Sequence, residues 1–221
     1  NTRGDYWVLD LKSGKLSQLG KSLPVSTLMF AKFSPDGSRV GYVSQQNIYV
    51  EEISSGVITQ LTKDGGGDII NGTFDWVYEE EFSFTKAFAW SPDNRYIAYY
   101  RFDESAVKEF TMTNYTGELY PENVTFKYPK VGMENSKVSI HIFDTKTKKK
   151  VDVDRTSDPD GYIPRIKWTN DPSKLCVFWM NRHQNHLELL IANSVSGKTT
   201  KLLQEENKYY IDIHDNLTFL Q

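Results

Sequence analysis

The densest run of groups able to do chemistry is Asp75-Trp76-Val77-Tyr78-Glu79-Glu80-Glu81-Phe82. Three successive carboxylates set among Trp, Tyr and Phe repel one another in a semi-apolar setting unless a cation sits between them. On a strand, neighbouring side chains point to opposite faces. On a helical turn they diverge by only about 100°, so a short helix can aim two acids at one cation. A solvated acidic face accounts for the same residues without a ligand. Both readings stay open on the residues alone.

Other constellations carry less. The four histidines are His141, His183, His186 and His214, and none adjoins a nucleophile and an acid. His183-Gln184-Asn185-His186 lacks the helix and carboxylate of a zincin site, so it reads as a solvated turn or strand end and no metal is expected. Gly14 with Gly20-Lys21-Ser22 misses phosphate-loop spacing, and Pro24 stands where a helix should begin. Gly65-Gly66-Gly67, between Asp64 and Asp68, reads as a flexible loop. No Gly-x-Ser-x-Gly elbow occurs, so no catalytic residue is assigned to this chain, and no cofactor.

Composition narrows the class. The 221 residues are 38% hydrophobic, 14% aromatic and 25% charged, the profile of a folding chain. With 26 basic and 29 acidic residues the net charge is −3, which offers no positive field to nucleic acid. No apolar run is long enough to cross a bilayer, and the first five residues do not resemble a signal peptide. The single cysteine, Cys176, lies in the apolar run Leu175-Cys176-Val177-Phe178-Trp179 and reads as a buried thiol. Glycosylation sequons occur at Asn71, Asn114, Asn123 and Asn216.

Short β-branched and aromatic runs between Gly, Pro, Asp and Asn turns must position these residues, so the fold class is all-β. A unit recurs: Phe33-Ser34-Pro35-Asp36-Gly37, then Arg39 to Val43, Asn47 to Val50, and Ile58 to Leu61. It returns at Trp90-Ser91-Pro92-Asp93-Asn94 and more loosely at Trp168-Thr169-Asn170-Asp171-Pro172. Four-stranded units repeated in this way are the signature of a β-propeller. The expected blades cover 1–19, 29–62, 87–154 and 164–203, and the start of another covers 209–221, with its opening strand from Tyr209 to Ile213. About three and a half blades leave an open arc, so a partial propeller is expected, cut from a larger domain.

The stretch Asp75 to Glu81 followed by Trp90-Ser91-Pro92 resembles the double-glutamate region of the dipeptidyl peptidase IV family. Tyr128-Pro129-Lys130-Val131-Gly132 with Asn135, and Trp179-Met180-Asn181-Arg182 with Gln184-Asn185, resemble family segments in the same order. The likeness covers roughly residues 30 to 190.

That resemblance implies an eight-bladed N-terminal propeller, a short helix carrying the Glu motif, and a C-terminal α/β-hydrolase domain absent from these residues. It implies a serine exopeptidase releasing Xaa-Pro or Xaa-Ala dipeptides. The substrate's free α-ammonium would be held by Glu80 and Glu81, with Ser83 matching a serine that lines the family's substrate site. A blocked N-terminus would then leave two buried carboxylates unpaired. The family's charge-balancing arginine falls before Asn1, and Arg3 stands too close to Tyr6 to replace it. The insertion 103–135 corresponds to an arm that helps form a homodimer. Few cysteines favour a bacterial periplasmic or cell-surface origin. A non-catalytic relative, a propeller scaffold for protein binding and a tripeptide-releasing sister peptidase are the rival readings.

Overall fold

Each repeated turn locks itself with a serine and an aspartate. Ser34 Oγ donates to Asp36 Oδ1 (2.6 Å) and accepts from the Arg39 amide (3.0 Å). Ser91 Oγ donates to Asp93 (2.5 Å) and accepts from the Tyr96 amide (2.8 Å). These bonds favour the charged form of Asp36 and hold its carboxyl down to about 2. Gly37 and Asn94 occupy the same place in their turns, both left-handed at φ 72° and 66°, a conformation that Gly and Asn tolerate best.

The computed structural model describes residues 3–154 and 160–220. The outermost residues of the first and last expected units, 1–2 and 221, lie outside the described residues. β1 (Trp7–Leu9) and β2 (Leu16–Gln18) form a two-stranded ribbon. β3 (Leu28–Phe33), β4 (Arg39–Ser44), β5 (Asn47–Glu52) and β6 (Ile58–Gln60) form an antiparallel sheet in chain order.

A third sheet follows, interrupted twice. Its first strand comes in two pieces, β7 (Ile69–Asn71) and, after helix α1 (Trp76–Glu80), β8 (Phe88–Trp90). Both pieces pair with β9 (Tyr96–Asp103). A hairpin of β10 (Glu109–Asn114) and β11 (Glu122–Lys127) then leaves the sheet. β12 (Lys137–Asp144) and β13 (Lys149–Asp152) complete it on the other edge of β9. The last sheet is β14 (Tyr162–Trp168), β15 (Lys174–Met180), β16 (His186–Asn193) and β17 (Thr199–Glu206), again in chain order.

The sheets stack face to face along the chain. Leu19, Leu28, Val40 and Tyr42 pack together at the β1–β2 ribbon, and Val43, Ile48, Phe88, Ile97 and Phe143 fill the space between the next two sheets. The largest cluster, from Ile70 through Tyr78 and Tyr100 to Leu190, joins the third sheet to the last. Indole staples repeat across these joints: Trp90 Nε1 donates to the Lys32 carbonyl (3.2 Å) and Trp168 Nε1 to the Ala89 carbonyl (3.0 Å). The fold is therefore all-β, with one short helix among the described residues, an open arc of a β-propeller.

Two details differ from the sequence reading. The middle unit reaches back to Ile69 instead of opening at residue 87, so the acidic stretch lies inside its first strand; three residues of β7 are too few to show a period. Tyr209 to Ile213 forms no strand, because the segment finds no ladder partner among the described residues. Ile211, Ile213, Leu217 and Phe219 instead pack on Cys176, Phe178 and Met180, covering the outer face of the last sheet.

Candidate functional site

Tyr100 fixes where the acidic segment leaves and re-enters the sheet. Its carbonyl accepts from the Gly72 amide (3.0 Å) and its own amide donates to the Ala87 carbonyl (2.9 Å). The chain between them is thus an excursion from a single ladder position. The first strands of the neighbouring sheets break more mildly, with register shifts between Met29 and Lys32 and between Tyr162 and Arg165.

Within the excursion α1 is short, so its shape depends on caps and on buried rings. Asp75 is the N-cap and accepts from the Tyr78 amide (2.9 Å), while Ser136 Oγ donates to its other oxygen (2.5 Å). Asp75 is buried, and desolvation raises its carboxyl above the ordinary range against the pull of these hydrogen bonds. Tyr78 is the pedestal. Its ring lies among Phe82 (5.2 Å), Phe84 (5.1 Å), Phe102 (4.9 Å) and Tyr162 (6.4 Å), and its hydroxyl accepts from the Ile163 amide (2.9 Å). Arg165 Nη1 donates to the Phe82 carbonyl (2.9 Å), tying the far end of the turn to β14.

With Val77, Tyr78 and Phe82 facing inward, Glu79, Glu80 and Glu81 are left on the solvent side, and all three are exposed. The semi-apolar, buried setting expected for these acids is therefore not found in this chain. The rings sink into the core and the ionised groups keep their water. Glu80 ends the helix and Glu81 is its C-cap, one residue apart on one turn, and neither forms an ion pair among the described residues.

Ser83 is left-handed at φ 53°, exposed, and lines a different cleft of about 380 Å³ with Phe84, Lys86, Tyr100, Arg165 and Lys167. Glu80 and Glu81 do not line it. Glu79 shares another recess, about 540 Å³, with Arg3, Phe30 and Phe74. Asp75, Ser136, Ile163 and Arg165 support the site without having been singled out for that role in the sequence. An Asp just before a helical turn is a favoured N-cap, so Asp75 carried a readable signal. Ser136, Ile163 and Arg165 carried none, because their role comes from contacts 61 to 85 residues away in the chain.

The remaining motifs resolve as local structure. His186 bonds Glu188 (3.2 Å), two residues along its own strand, and Glu206 (3.0 Å) on the neighbouring β17, while His183 is exposed in the turn before it. Among the described residues no group of three or more His, Cys, Asp or Glu could hold a metal ion. No helix is long and apolar enough to cross a membrane. Cys176 is buried, and burial pushes its thiol up to about 12. Asn71 is fully buried and donates to Asp64 (3.0 Å), which closes that sequon in the folded chain.

The family model described as Dipeptidyl peptidase IV (DPP IV) N-terminal region matches residues 1–221. The chain belongs to this family. Its structure is similar to the crystal structure of Porphyromonas gingivalis dipeptidyl peptidase 4, with a TM-score of 0.90 and 38% identity over 95% of this chain and 30% of that one. Its sequence is similar to dipeptidyl-aminopeptidase B of Aspergillus niger, 33% identical over 224 residues, which is 95% of this chain and 25% of the relative. A protein of Aspergillus oryzae named "Probable dipeptidyl-aminopeptidase B" is also 33% identical over 95% of this chain. This dipeptidyl peptidase IV N-terminal region spans about a quarter of the length of the curated relatives it matches.

Proposed function

We propose that the chain is the substrate-gripping part of a dipeptidyl peptidase, and that Glu80 and Glu81 bind the free α-ammonium of a peptide. The observation carrying this reading is the pairing of two exposed acids, with no ion-pair partner among the described residues, on a turn anchored by Tyr78, Asp75 and Arg165. Because the turn is already anchored, its backbone needs little further ordering when a cation arrives. An α-amino group titrates near 7.7–8.0, so most of it is cationic at neutral pH. Charge-assisted hydrogen bonds to the two carboxylates contribute about 1.5–3 kcal/mol each.

A fixed amine also fixes which carbonyl reaches a nucleophile elsewhere in the protein. Release of dipeptides follows from that distance, while Pro or Ala in second place is what the family resemblance implies. The β10–β11 hairpin, with Met112, Tyr115, Leu119 and Tyr120 exposed, supplies an apolar contact for a second copy.

Glu80→Gln and Glu81→Gln in the full-length protein test the reading. Each is expected to cut kcat/KM for an Xaa-Pro substrate at least about tenfold, the loss of one charge-assisted bond. Acetylating the substrate's amine should abolish turnover. Near-normal kcat/KM in both variants would sink the proposal.

A further inference from the structure

We propose that Ser139 is a nucleophile that takes a small acyl group from an activated ester, with His141 as its general base. The site is built on the third sheet and is independent of the Glu80 and Glu81 pair.

Strand pairing assembles it from residues that no local pattern links. Ser139 and His141 are two residues apart on β12 and so share a face, and Asp152 of β13 lies directly opposite His141. His141 Nδ1 is 2.6 Å from Asp152 Oδ1, and its Nε2 is 2.9 Å from Ser139 Oγ. An ionised carboxylate only accepts. The Asp152 contact therefore keeps the proton of a neutral imidazole on Nδ1 and leaves the Nε2 lone pair for the Ser139 hydroxyl. Burial of His141, 5% exposed, favours that neutral form and pulls its ring below the ordinary 6.5, against the opposing pull of Asp152. The Tyr99 ring, 5.3 Å away on β9, packs against the imidazole from the other side. Hydroxyl, imidazole and carboxylate are thus linked in the order that acyl transfer to a serine needs.

Access and charge narrow the substrate. Ser139 is half-buried and not sealed, and Asp152 is open to solvent. Arg101, opposite Ser139 on β9, brings a guanidinium to the same face, where Asp64 Oδ2 already engages it at 2.8 Å. One shared cation is modest help for a developing oxyanion, so the acyl donor must carry a good leaving group, and an amide is a poor candidate. In the step, Ser139 Oγ bonds the acyl carbon as the bond to an aryloxide breaks. The Oγ proton passes to Nε2 and then to the leaving oxygen.

The probe is p-nitrophenyl acetate, added to the full-length protein at about pH 8, where an imidazole is neutral. Peptide mass mapping then reads each serine separately, so acylation elsewhere in the protein does not enter the result. Ser139 is expected to be acetylated at least about tenfold faster than Ser55, an exposed serine whose Oγ accepts from the Val57 amide. His141→Gln and Asp152→Asn should each slow Ser139 at least about tenfold. The second variant, on an exposed carboxylate, keeps the test open if the first fails to fold. The Ser139 rate should also fall as acid protonates His141, with a midpoint below 6.5. Asp152→Asn should move that midpoint lower still, because the charges left facing the ring, Lys150 of β13 and Arg101 of β9 with its Asp64 partner, are net positive. A Ser139 rate no higher than that of Ser55, or one unchanged in either folded variant, would overturn the assignment.

Discussion

Trp76 and Tyr128 pack ring against ring, their centroids 4.4 Å apart and their planes at 54°. One ring opens α1 and the other stands just after β11, so the chain returning from the hairpin presses on the helix that carries the acids. Ser136, eight residues further on, holds the N-cap of the same helix through Asp75 (2.5 Å). Tyr128→Ala should cost about 1–2 kcal/mol, the pair plus its buried area, whereas Tyr128→Phe should cost little. Chemical denaturation with amide exchange across residues 76–82 checks this. Exchange there should speed up in the alanine variant only.

Glu104 makes stability depend on pH. It lies at the root of the hairpin, 8% exposed, and burial raises its carboxyl to about 7, with the Asp75 and Asp68 charges adding to the rise and Lys127 opposing it. The folded state thus holds the proton more tightly than an unfolded chain, whose glutamate titrates near 4.5. Stability falls as pH rises from about 4.5 to about 7 and stays lower above that. Glu104→Gln should leave stability near pH 5 almost unchanged and raise it near pH 8. Denaturant midpoints at both values read the difference, and an equal shift at both would contradict the argument.

The fold was legible because its repeat is chemical as well as periodic. Ser34, Ser91 and Thr169 each begin a turn whose aspartate follows two residues on, and Trp90 and Trp168 each mark a joint between sheets. The placement of the acids was only half legible. Glu79, Glu80 and Glu81 announced themselves by type, but their exposure depends on Tyr78 being buried beneath residues from two other strands, β9 and β14. Those partners include Phe102, Tyr162 and Ile163, which no local pattern connects to residue 78. The opening strand expected from Tyr209 shows the same limit, since a strand needs a neighbour that sequence alone does not supply.

Gly72 lets the acidic segment leave the sheet. Its φ is 73°, and a Cβ there would lie 2.5 Å from Ile48 Cγ1 and 2.8 Å from Ile48 Cδ1. Ile48 is fully buried and has little room to move. Gly72→Ala should therefore destabilise the protein by about 2–4 kcal/mol, the sum of a left-handed penalty and overpacking. Thermal unfolding reads this directly. A loss below about 1 kcal/mol would mean that the backbone here relaxes freely.

Trp168 tests the joint between the third and last sheets. Its indole donates to the Ala89 carbonyl (3.0 Å) and its ring stacks on Tyr96 with centroids 6.1 Å apart. Ala89 sits in β8, which re-enters the sheet just after the acidic excursion, so the staple also pins the segment's return. Trp168→Phe keeps an aromatic ring against Tyr96 but removes the donor, taking one hydrogen bond from the Ala89 carbonyl. The expected cost is about 1–2 kcal/mol. Trp90→Phe should behave alike, because its indole serves the Lys32 carbonyl one joint earlier (3.2 Å). The two losses should add, since the staples share no partner. A double variant markedly less stable than that sum would show that neighbouring joints support each other, and the stack would then have to be treated as one cooperative unit.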